Sequence, residues 1–432
     1  MSSERHGQHK GRLMGKPVLI GAARAHRSGS VRYLKNGTAC IKIPDISEIR
    51  IPRARQFDLT EATIFGLNER LTSTAASPIV GARGRMQKTL RDVFNAEWQR
   101  YARALERAED AGSFNYGIYA LYRGEQTLVR YASPKWHRIV AIASSSTLLT
   151  DPRRELSWQE VQSCFAKTTI AVAGGSVGGN VLHCAVMDMR PAAVKIADKS
   201  VYKMENINRV RLRYDELVSS NEHRSSLAET LLRNKAEVLA TQLYAIDPFL
   251  RAYVYAEGIT HETLGPFLDG TGREPAVDII VEEVDDPRTK ILLREAARER
   301  RLPLIMVSDF GSAVQLDVSR YDLNPSAPLA YGTEDALLRT RTDALYERVG
   351  DRDAFFDFVD ALAGTDYRTG ELAAILRGSC EIPTSTIIPQ LGSTAAMAGA
   401  IAAETIARVR LGHRYPSRVV MNKHTCAVKR YE

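Results

Sequence analysis

Residues 168–179 read TTIAVAGGSVGG, an apolar run that ends in a glycine-rich turn. The run predicts a buried strand, and VGGNVLHCAVMDM at 177–189 predicts the helix that follows it. Glycines between a strand and a helix let backbone N–H groups approach a phosphate, and the helix N-terminus adds a partial positive charge. Any tight strand-to-helix turn also favours glycine, so the turn alone does not establish a phosphate site.

Strands and helices continue to alternate from this turn to about residue 325. Predicted strands are VKIAD (194–198), RAYVYAEG (251–258), VDIIVEEVD (277–285) and LPLIMVSD (302–309), with helical segments between them. Continuous apolar strands separated by helices indicate a parallel sheet covered on both faces. QLDVSRYDL (315–323) predicts an added edge strand. We therefore predict an α/β, doubly wound, mostly parallel Rossmann-like domain over residues 161–432, with a small-residue helix near its end.

Residues 1–160 are predicted to form a separate, basic α+β module. They carry a net charge of +11, the remaining residues carry −3, and the whole chain carries +8. We expect an amphipathic helix from about Gln87 to Asp110 and a hairpin over 117–133 that turns at 123–125. A basic module suits nucleic acid, an acidic partner or a plainly solvated surface. Since no zinc-finger spacing or aromatic RNA-binding signature occurs, nucleic acid is not an expected partner.

The composition is that of an ordinary globular protein, with 44% hydrophobic and 25% charged residues among 432. No apolar run approaches the roughly 18–20 residues that span a bilayer, and the basic N-terminus lacks the apolar core of a secretory signal. We expect a cytoplasmic protein without membrane contact. The five scattered cysteines are Cys40, Cys164, Cys184, Cys380 and Cys426. They form no CxxC pair, so we expect reduced thiols and no structural zinc.

The order of the charged residues that follow the glycine turn indicates the type of chemistry. Asp198 ends the second strand about 20 residues after the turn, where a Rossmann-type acid binds a ribose hydroxyl. To this point a nicotinamide-dependent oxidoreductase fits equally well. Arg209 and Lys235 then add two cations, and Asp285 adds a carboxylate at the end of the fourth strand. Singly these are ordinary surface charges, and Asp285 also suits a helix N-cap. Together they favour phosphorus chemistry with a metal over hydride transfer.

The ordered set from Thr168 to Ile406 resembles the ThiF/MoeB/HesA superfamily of ubiquitin-activating-like enzymes. Its members are AGGSVGG, Asp198, the N-x-x-R of residues 206–209, Lys235, Asp285, and Cys380 before the P-x-x-G of residues 389–392. It is most similar to bacterial stand-alone ThiF-domain proteins of ubiquitin-like conjugation operons. The sequence departs from the family at Ala173 or Ser176, one of which replaces a glycine, at Ser200 in place of a second acid, and in lacking zinc-binding cysteine pairs.

The resemblance implies a role for each matching residue. The nucleotide-binding residues would be Gly174, Gly175, Gly178, Gly179, Asp198, Asn206, Arg209, Lys235 and Lys290. The catalytic residues would be Cys380, on a segment spanning about 364–390, with Arg209, Lys235 and Asp285, the last binding Mg²⁺. A homodimer partner would lend an arginine to the site, for which Arg153 and Arg154 are the candidates.

We accordingly expect an ATP- and Mg²⁺-dependent enzyme that adenylates the C-terminal glycine of a ubiquitin-like protein. The resemblance implies a thioester on Cys380, transfer to a conjugating enzyme, and a setting such as antiphage defence. One alternative is activation of a sulfur-carrier protein, against which the missing zinc cysteines count weakly. Another is a catalytically silent scaffold of the same fold, which the joint presence of Arg209, Lys235, Asp285 and Cys380 disfavours. An oxidoreductase leaves the cations unexplained.

Overall fold

The chain divides into two compact units, Met1–Ser133 and Pro134–Glu432. The computed structural model describes six strands between residues 27 and 131, and residues 132, 134–151, 154–213, 216, 217, 234–247, 249–272, 274–366 and 390–432. The division falls at residue 133, whereas the sequence places it near residue 160. Residues 134–160 thus fold with the second unit.

The described part of the first unit is a six-stranded sheet. Its strands are β1 (Arg27–Tyr33), β2 (Ala39–Lys42), β3 (Ala62–Leu67), β4 (Thr89–Asp92), β5 (Ile118–Tyr122) and β6 (Thr127–Tyr131), in the spatial order β2-β1-β3-β5-β6-β4. The expected hairpin is confirmed, because β5 pairs antiparallel with β6 and joins Tyr122 to Thr127.

The helix expected from Gln87 is wrong in its first turn. Residues 89–92 form β4, which lies parallel to β6. Pairing with a strand distant in sequence overrides a local helical pattern, because strand formation depends on neighbouring strands more than on intrinsic preference. The rest of that predicted helix, residues 93–110, lies outside the described residues.

The second unit alternates helices and strands as predicted. Its elements are α1 (Pro134–Ser144), β7 (Thr150–Asp151), β8 (Arg154–Glu155), α2 (Trp158–Lys167), β9 (Thr169–Ala173), α3 (Val177–Met189), β10 (Ala193–Ala197), α4 (Lys235–Ile246), β11 (Ala252–Tyr255), α5 (His261–Asp269), β12 (Ile279–Glu282), α6 (Pro287–Glu299), β13 (Pro303–Phe310), β14 (Ala313–Arg320), α7 (Asp335–Glu347), α8 (Arg352–Ala363), α9 (Gly392–Arg410), β15 (Arg418–Asn422) and β16 (Ala427–Tyr431). Short 3₁₀ helices cover Ser146–Leu149 and Met204–Asn208.

An eight-stranded sheet forms the centre of this unit, in the order β11-β10-β9-β12-β13-β14-β15-β16. The first five strands run parallel, and the last three are antiparallel to their neighbours. All five residues of β9 are buried, as expected for a central strand with both faces covered. The predicted α/β, Rossmann-like, mostly parallel architecture is confirmed. β14 is not the edge strand we expected, because β15 and β16 extend the sheet beyond it.

Helix α9 packs closely on α3. A Cβ added to Gly399 would lie 2.7 Å from the backbone carbonyl of Asn180, closer than real Cβ atoms come, so this crossing requires glycine. The prediction that the small residues of α9 serve close packing is confirmed. Among the described residues, no helix has the length and apolar character needed to cross a membrane.

Candidate functional site

The glycine turn between β9 and α3 brings the chain against the end of β12. Gly174 has φ of +103°, and a Cβ there would lie 2.2 Å from the carbonyl oxygen of Glu283. A Cβ on Gly178 would lie 2.5 Å from Cγ1 of Val172. Gly179 meets only ordinary contact distances, 3.5 Å to Leu239. Gly174 and Gly178 are therefore required by the backbone path, independently of any ligand.

The N-terminus of α3 differs from those of α4 and α6. Ser176, at the N-cap, makes no side-chain cap hydrogen bond. Asn234 caps α4 through a reciprocal pair with Glu237, and Asp286 caps α6 through Thr289. A first turn without a side-chain cap keeps N–H donors and the positive end of the helix dipole available to an anion. The predicted phosphate site thus lies at a helix start that no side chain caps, a feature that α3 shares with α7 and α9.

Asp198 fastens the turn to the end of β10. Its Oδ2 accepts a hydrogen bond from the Gly175 N–H at 2.7 Å, and its Oδ1 accepts one from the Ser200 N–H at 2.8 Å. Ser200 thus contributes its backbone N–H to this contact. A carboxylate has about four lone-pair positions, so both oxygens retain capacity for ribose hydroxyls.

Lys235 lies against the same turn. Its side chain is mostly buried, and a Cβ on Gly175 would lie 3.2 Å from the Lys235 Cβ. Its ammonium lies 5.6 Å from the ring centroid of Tyr202. Tyr202, a fully buried residue that the sequence did not single out, donates from its hydroxyl to the Gly175 carbonyl at 2.6 Å. Burial raises the pKa of Tyr202, so its phenol remains a donor.

Arg209 also contacts the start of α3. Its Nε donates to Oγ of Ser176 at 3.3 Å, and its carbonyl accepts from Nδ2 of Asn180 at 2.9 Å. Asn206 is 2% exposed, and its side-chain oxygen accepts the Lys203 N–H at 2.8 Å. Asn206 is thus engaged in forming the turn that presents Arg209.

The two adjacent acids that follow β12 differ in their contacts. Asp286 is the N-cap of α6, accepting the N–H of Thr289 at 2.8 Å and the hydroxyl of Tyr346 at 2.6 Å. Asp285 is exposed, and no hydrogen bond or ion pair engages it within the described chain. The N-cap of α6 is therefore Asp286 and not Asp285. The Asp285 carboxylate remains available to a ligand.

Lys290 is engaged elsewhere. Its ammonium lies 2.7 Å from Oε1 of Glu282, a fully buried residue that also binds Arg294 at 2.9 Å. A lysine that balances a buried carboxylate is a weak candidate for a phosphate ligand, because withdrawing it leaves that charge less compensated. In the structure Lys290 is therefore paired with Glu282, whereas the family resemblance implies that it binds the nucleotide.

Two further acids stand at this edge of the sheet and were missed from sequence. The Glu283 carboxylate accepts the Val307 N–H at 2.6 Å, and burial raises its pKa well above the usual range. Asp309, near the end of β13, is 2% exposed, and burial raises its pKa to about 6. Glu283 lies inside the predicted strand 277–285 and Asp309 ends the predicted strand 302–309. Neither belongs to the ordered motif set, so the sequence alone did not single them out.

Several predicted residues are not placed. Cys380 and Arg153 lie outside the described residues, and of Arg154 only the backbone, in β8, is described. Cys164 and Cys184 are half-buried on α2 and α3, and burial raises the pKa of both thiols. A raised pKa lowers the thiolate fraction, so these two cysteines are poor nucleophiles.

Fold and site together define a Rossmann-like α/β protein whose glycine turn is flanked by one acid and two cations. No protein-family model matches the sequence. A curated relative, "Uncharacterized protein MT1398" of Mycobacterium tuberculosis (strain CDC 1551 / Oshkosh), is 26% identical over 207 residues. The match covers 47% of this chain but only 26% of that protein.

Similar solved structures include PaaA and E. coli MccB. The crystal structure of PaaA has a TM-score of 0.46 and 11% sequence identity, with 70% of this chain and 84% of PaaA covered. That of E. coli MccB with ATP has a TM-score of 0.40 and 13% identity, with 63% of this chain and 66% of MccB covered. MccB with MccA has a TM-score of 0.37 and 13% identity, with 62% and 64% covered.

Proposed function

We propose that this protein binds ATP at the carboxyl edge of β9, β10 and β12 and adenylates a carboxylate. The observation that carries the proposal is the convergence of Arg209 and Lys235 on one glycine turn, beside a helix N-terminus that has no side-chain cap. Two cations and backbone donors at a helix start suit a polyphosphate. Asp198, hydrogen-bonded to the same turn, suits the ribose of that nucleotide.

The chemistry follows from charge. A carboxylate substrate is already ionised at neutral pH, so its attack needs no general base. The barrier lies in bringing one anion to another, and Arg209 and Lys235 offset that repulsion while holding the α-phosphate in line. The carboxylate oxygen bonds to the α-phosphorus as the bond to pyrophosphate breaks. An acyl-adenylate and pyrophosphate are the products.

Asp285 suits the Mg²⁺ that accompanies ATP. Mg²⁺ is commonly held by one or two carboxylates together with phosphate oxygens, and the exposed Asp285, in the turn after β12, is such a carboxylate. Within the described residues no three metal-binding side chains cluster, so most ligands would come from ATP and water. Bound there, the ion would lower the negative charge of the phosphates.

The acyl donor in this proposal is a ubiquitin-like protein that ends in glycine. The support is the resemblance of the ordered motifs, including Cys380, to ubiquitin-activating-like enzymes. The Cys380 thiolate attacks the acyl carbonyl, AMP leaves, and the thioester passes to a conjugating enzyme. A homodimer in which Arg153 or Arg154 reaches the partner's site, a cytoplasmic location and a role in antiphage defence complete the proposal.

ATP–pyrophosphate exchange in the presence of a small protein ending in glycine tests adenylation. Asp285→Ala is expected to lower the exchange rate by about a hundredfold or more, since preorganised charge contributes that much to such steps. The matched control is Asp322→Asn, which removes a partly exposed carboxylate, paired with Arg320, at the opposite edge of the sheet. Full exchange in Asp285→Ala would remove Asp285 from the metal role, and no exchange by the wild type would reject the proposal.

Thioester formation is tested separately. Cys380→Ala is expected to retain exchange but to lose a covalent adduct that reductant releases, because only the second step needs a thiol. Cys426→Ala, which removes an exposed cysteine, is the control and should retain both. An adduct that persists in Cys380→Ala assigns the nucleophile to another thiol.

A further inference from the structure

Asp309 presents a buried carboxyl oxygen that lacks a partner. Its Oδ1 accepts a hydrogen bond from Nε2 of Gln390 at 2.6 Å. Its Oδ2 is buried and has no hydrogen-bond partner in the part of the chain that the structure describes. Buried polar groups are nearly always paired, and an ionised oxygen left unpaired is costly. The exception therefore requires a physical explanation.

The start of α9 connects Asp309 to the Arg209 turn. Along β13, Met306 and Phe310 face the core formed with α7 and α8, so Asp309 lies on the other face, with its partner Gln390 beside α9. Thr394 of α9 donates to the Gly311 carbonyl at 2.6 Å, just after β13. A Cβ on Gly392 would lie 2.9 Å from the carbonyl oxygen of Asn208. The end of β13 and the residue before Arg209 thus meet at one helix start.

Two charged groups interact electrostatically with Asp309. Burial raises the pKa of Asp309, while the Gln390 hydrogen bond and the Arg209 charge lower it. Glu283, after β12, is electrostatically coupled to Asp309. From α9 the neighbour is the neutral Gln390. Arg209 is therefore the charge that, together with the Gln390 hydrogen bond, favours the ionised form of Asp309 against the effect of burial.

We propose that Asp309 is a proton-linked residue of the phosphate site, ionised beside Arg209 in the free protein and protonated when an anionic nucleotide binds. The inference rests on the proposed function, since it requires Arg209 to bind phosphate. A phosphate drawn to Arg209 takes away the counter-charge of Asp309 and adds a like charge nearby, and both effects favour the neutral carboxyl group. One proton then moves from solvent to Oδ2, with no covalent bond to carbon or phosphorus formed or broken.

Calorimetric titration with Mg-ATP in two buffers of different ionisation enthalpy tests this. The wild type should take up more protons than Asp309→Asn, with a difference of up to about one per nucleotide near pH 7. Because the titration of ATP itself is common to both proteins, the difference reports Asp309. The wild-type Kd divided by the variant Kd should rise with pH by up to about tenfold per pH unit above the pKa of the free residue.

A second variant keeps the test decisive if Asp309→Asn folds poorly. Gln390→Leu removes a donor that stabilises the ionised form, so the midpoint of the pH profile should move to higher pH. A purely structural role would change Kd equally at every pH. Parallel profiles for the wild type and Asp309→Asn, or an unshifted midpoint in Gln390→Leu, would overturn the inference while leaving ATP binding in place. No ATP binding by the wild type would overturn the proposed function as well.

Discussion

At the scale of single residues, both the backbone path and the proposed chemistry require that Gly174 has no Cβ atom. A methyl group there would overlap the Glu283 carbonyl, and alanine is strained at φ of +103°. Steric overlap and backbone strain each cost about 1–3 kcal/mol. Gly174→Ala is therefore expected to lower the free energy of unfolding, measured in urea, by roughly 2–6 kcal/mol and to weaken ATP binding.

A matched glycine on α5 provides the control. A Cβ on Gly265 would meet nothing within 4 Å, and its backbone is helical. Gly265→Ala should change the free energy of unfolding by no more than about 1 kcal/mol and leave ATP affinity unaltered. Equal losses in the two variants would show that the turn is not strained by an added methyl group.

Asp309 also makes the stability of the free protein depend on pH. Its pKa in the folded protein is about 6, against 3.8 for an ordinary aspartate, so the folded state holds the proton more tightly. The free energy of unfolding therefore falls as pH rises between these values, by roughly 3 kcal/mol in total. Asp309→Asn should gain that stability at about pH 8 and little at about pH 4, measured by urea unfolding. A variant less stable than wild type by the same amount at both pH values would contradict this.

The sequence predicted candidate site residues from their ordered spacing and missed acids whose surroundings depend on contacts between distant strands. Asp198, Arg209 and Lys235 were predicted from their order after the glycine turn, and the structure places all three at that turn. Asp309 was not, because its neighbours lie far away in sequence: Arg209 is about 100 residues before it and Gln390 about 80 residues after it. The partners that distinguish Asp285 from Asp286 are likewise visible only in three dimensions.

At the scale of elements, a buried ion cluster holds α6 against β12. Arg294, 1% exposed, donates through Nε and Nη2 to Glu282 at 3.0 and 2.9 Å, and through Nη1 to the Leu329 carbonyl at 2.6 Å. The cluster joins the strand that precedes the turn carrying Asp285 to the helix that follows it. It therefore positions the proposed metal ligand through the packing of a strand and a helix.

Breaking this cluster should be costly. Arg294→Met is expected to lower the free energy of unfolding by about 3–5 kcal/mol, because it leaves a buried carboxylate with only Lys290 to balance it. The control is Arg300→Met at the end of the same helix, where a partly exposed pair with Asp269 should be worth no more than about 1 kcal/mol. Urea unfolding measures both, and similar losses would mean that burial adds nothing to the Glu282 pair.

The elements themselves were predictable where a local pattern fixed them. Parallel strands buried on both faces appear as continuous apolar runs, and β9 to β13 all followed that pattern. The expected edge strand was wrong because β15 and β16, about a hundred residues later, complete the sheet beyond β14. The first turn of the helix expected from residue 87 was wrong for the same reason, since residues 89–92 pair with β6.

At the scale of the whole molecule, α1 and α2 decide where the second unit begins. Arg138 of α1 donates to the Met189 and Arg190 carbonyls at 3.0 Å and to Arg190 again at 2.6 Å, thereby capping the end of α3. Large apolar side chains before residue 160 are also buried in this unit: Trp136, Ile142, Leu148 and Leu156. The segment thus contributes both a helix cap and part of the core.

Two fragments test this boundary. A fragment of residues 134–432 should unfold cooperatively and bind ATP, whereas one of residues 161–432 should not fold stably. Each buried apolar side chain that the shorter fragment lacks contributes about 1.5–3 kcal/mol, and four of them approach the 5–15 kcal/mol that stabilises a typical domain. The loss of Arg138 adds unsatisfied carbonyls at the end of α3. Thermal unfolding followed by circular dichroism measures the difference. Equal midpoints for the two fragments would show that α1 is dispensable and would restore the boundary near residue 160.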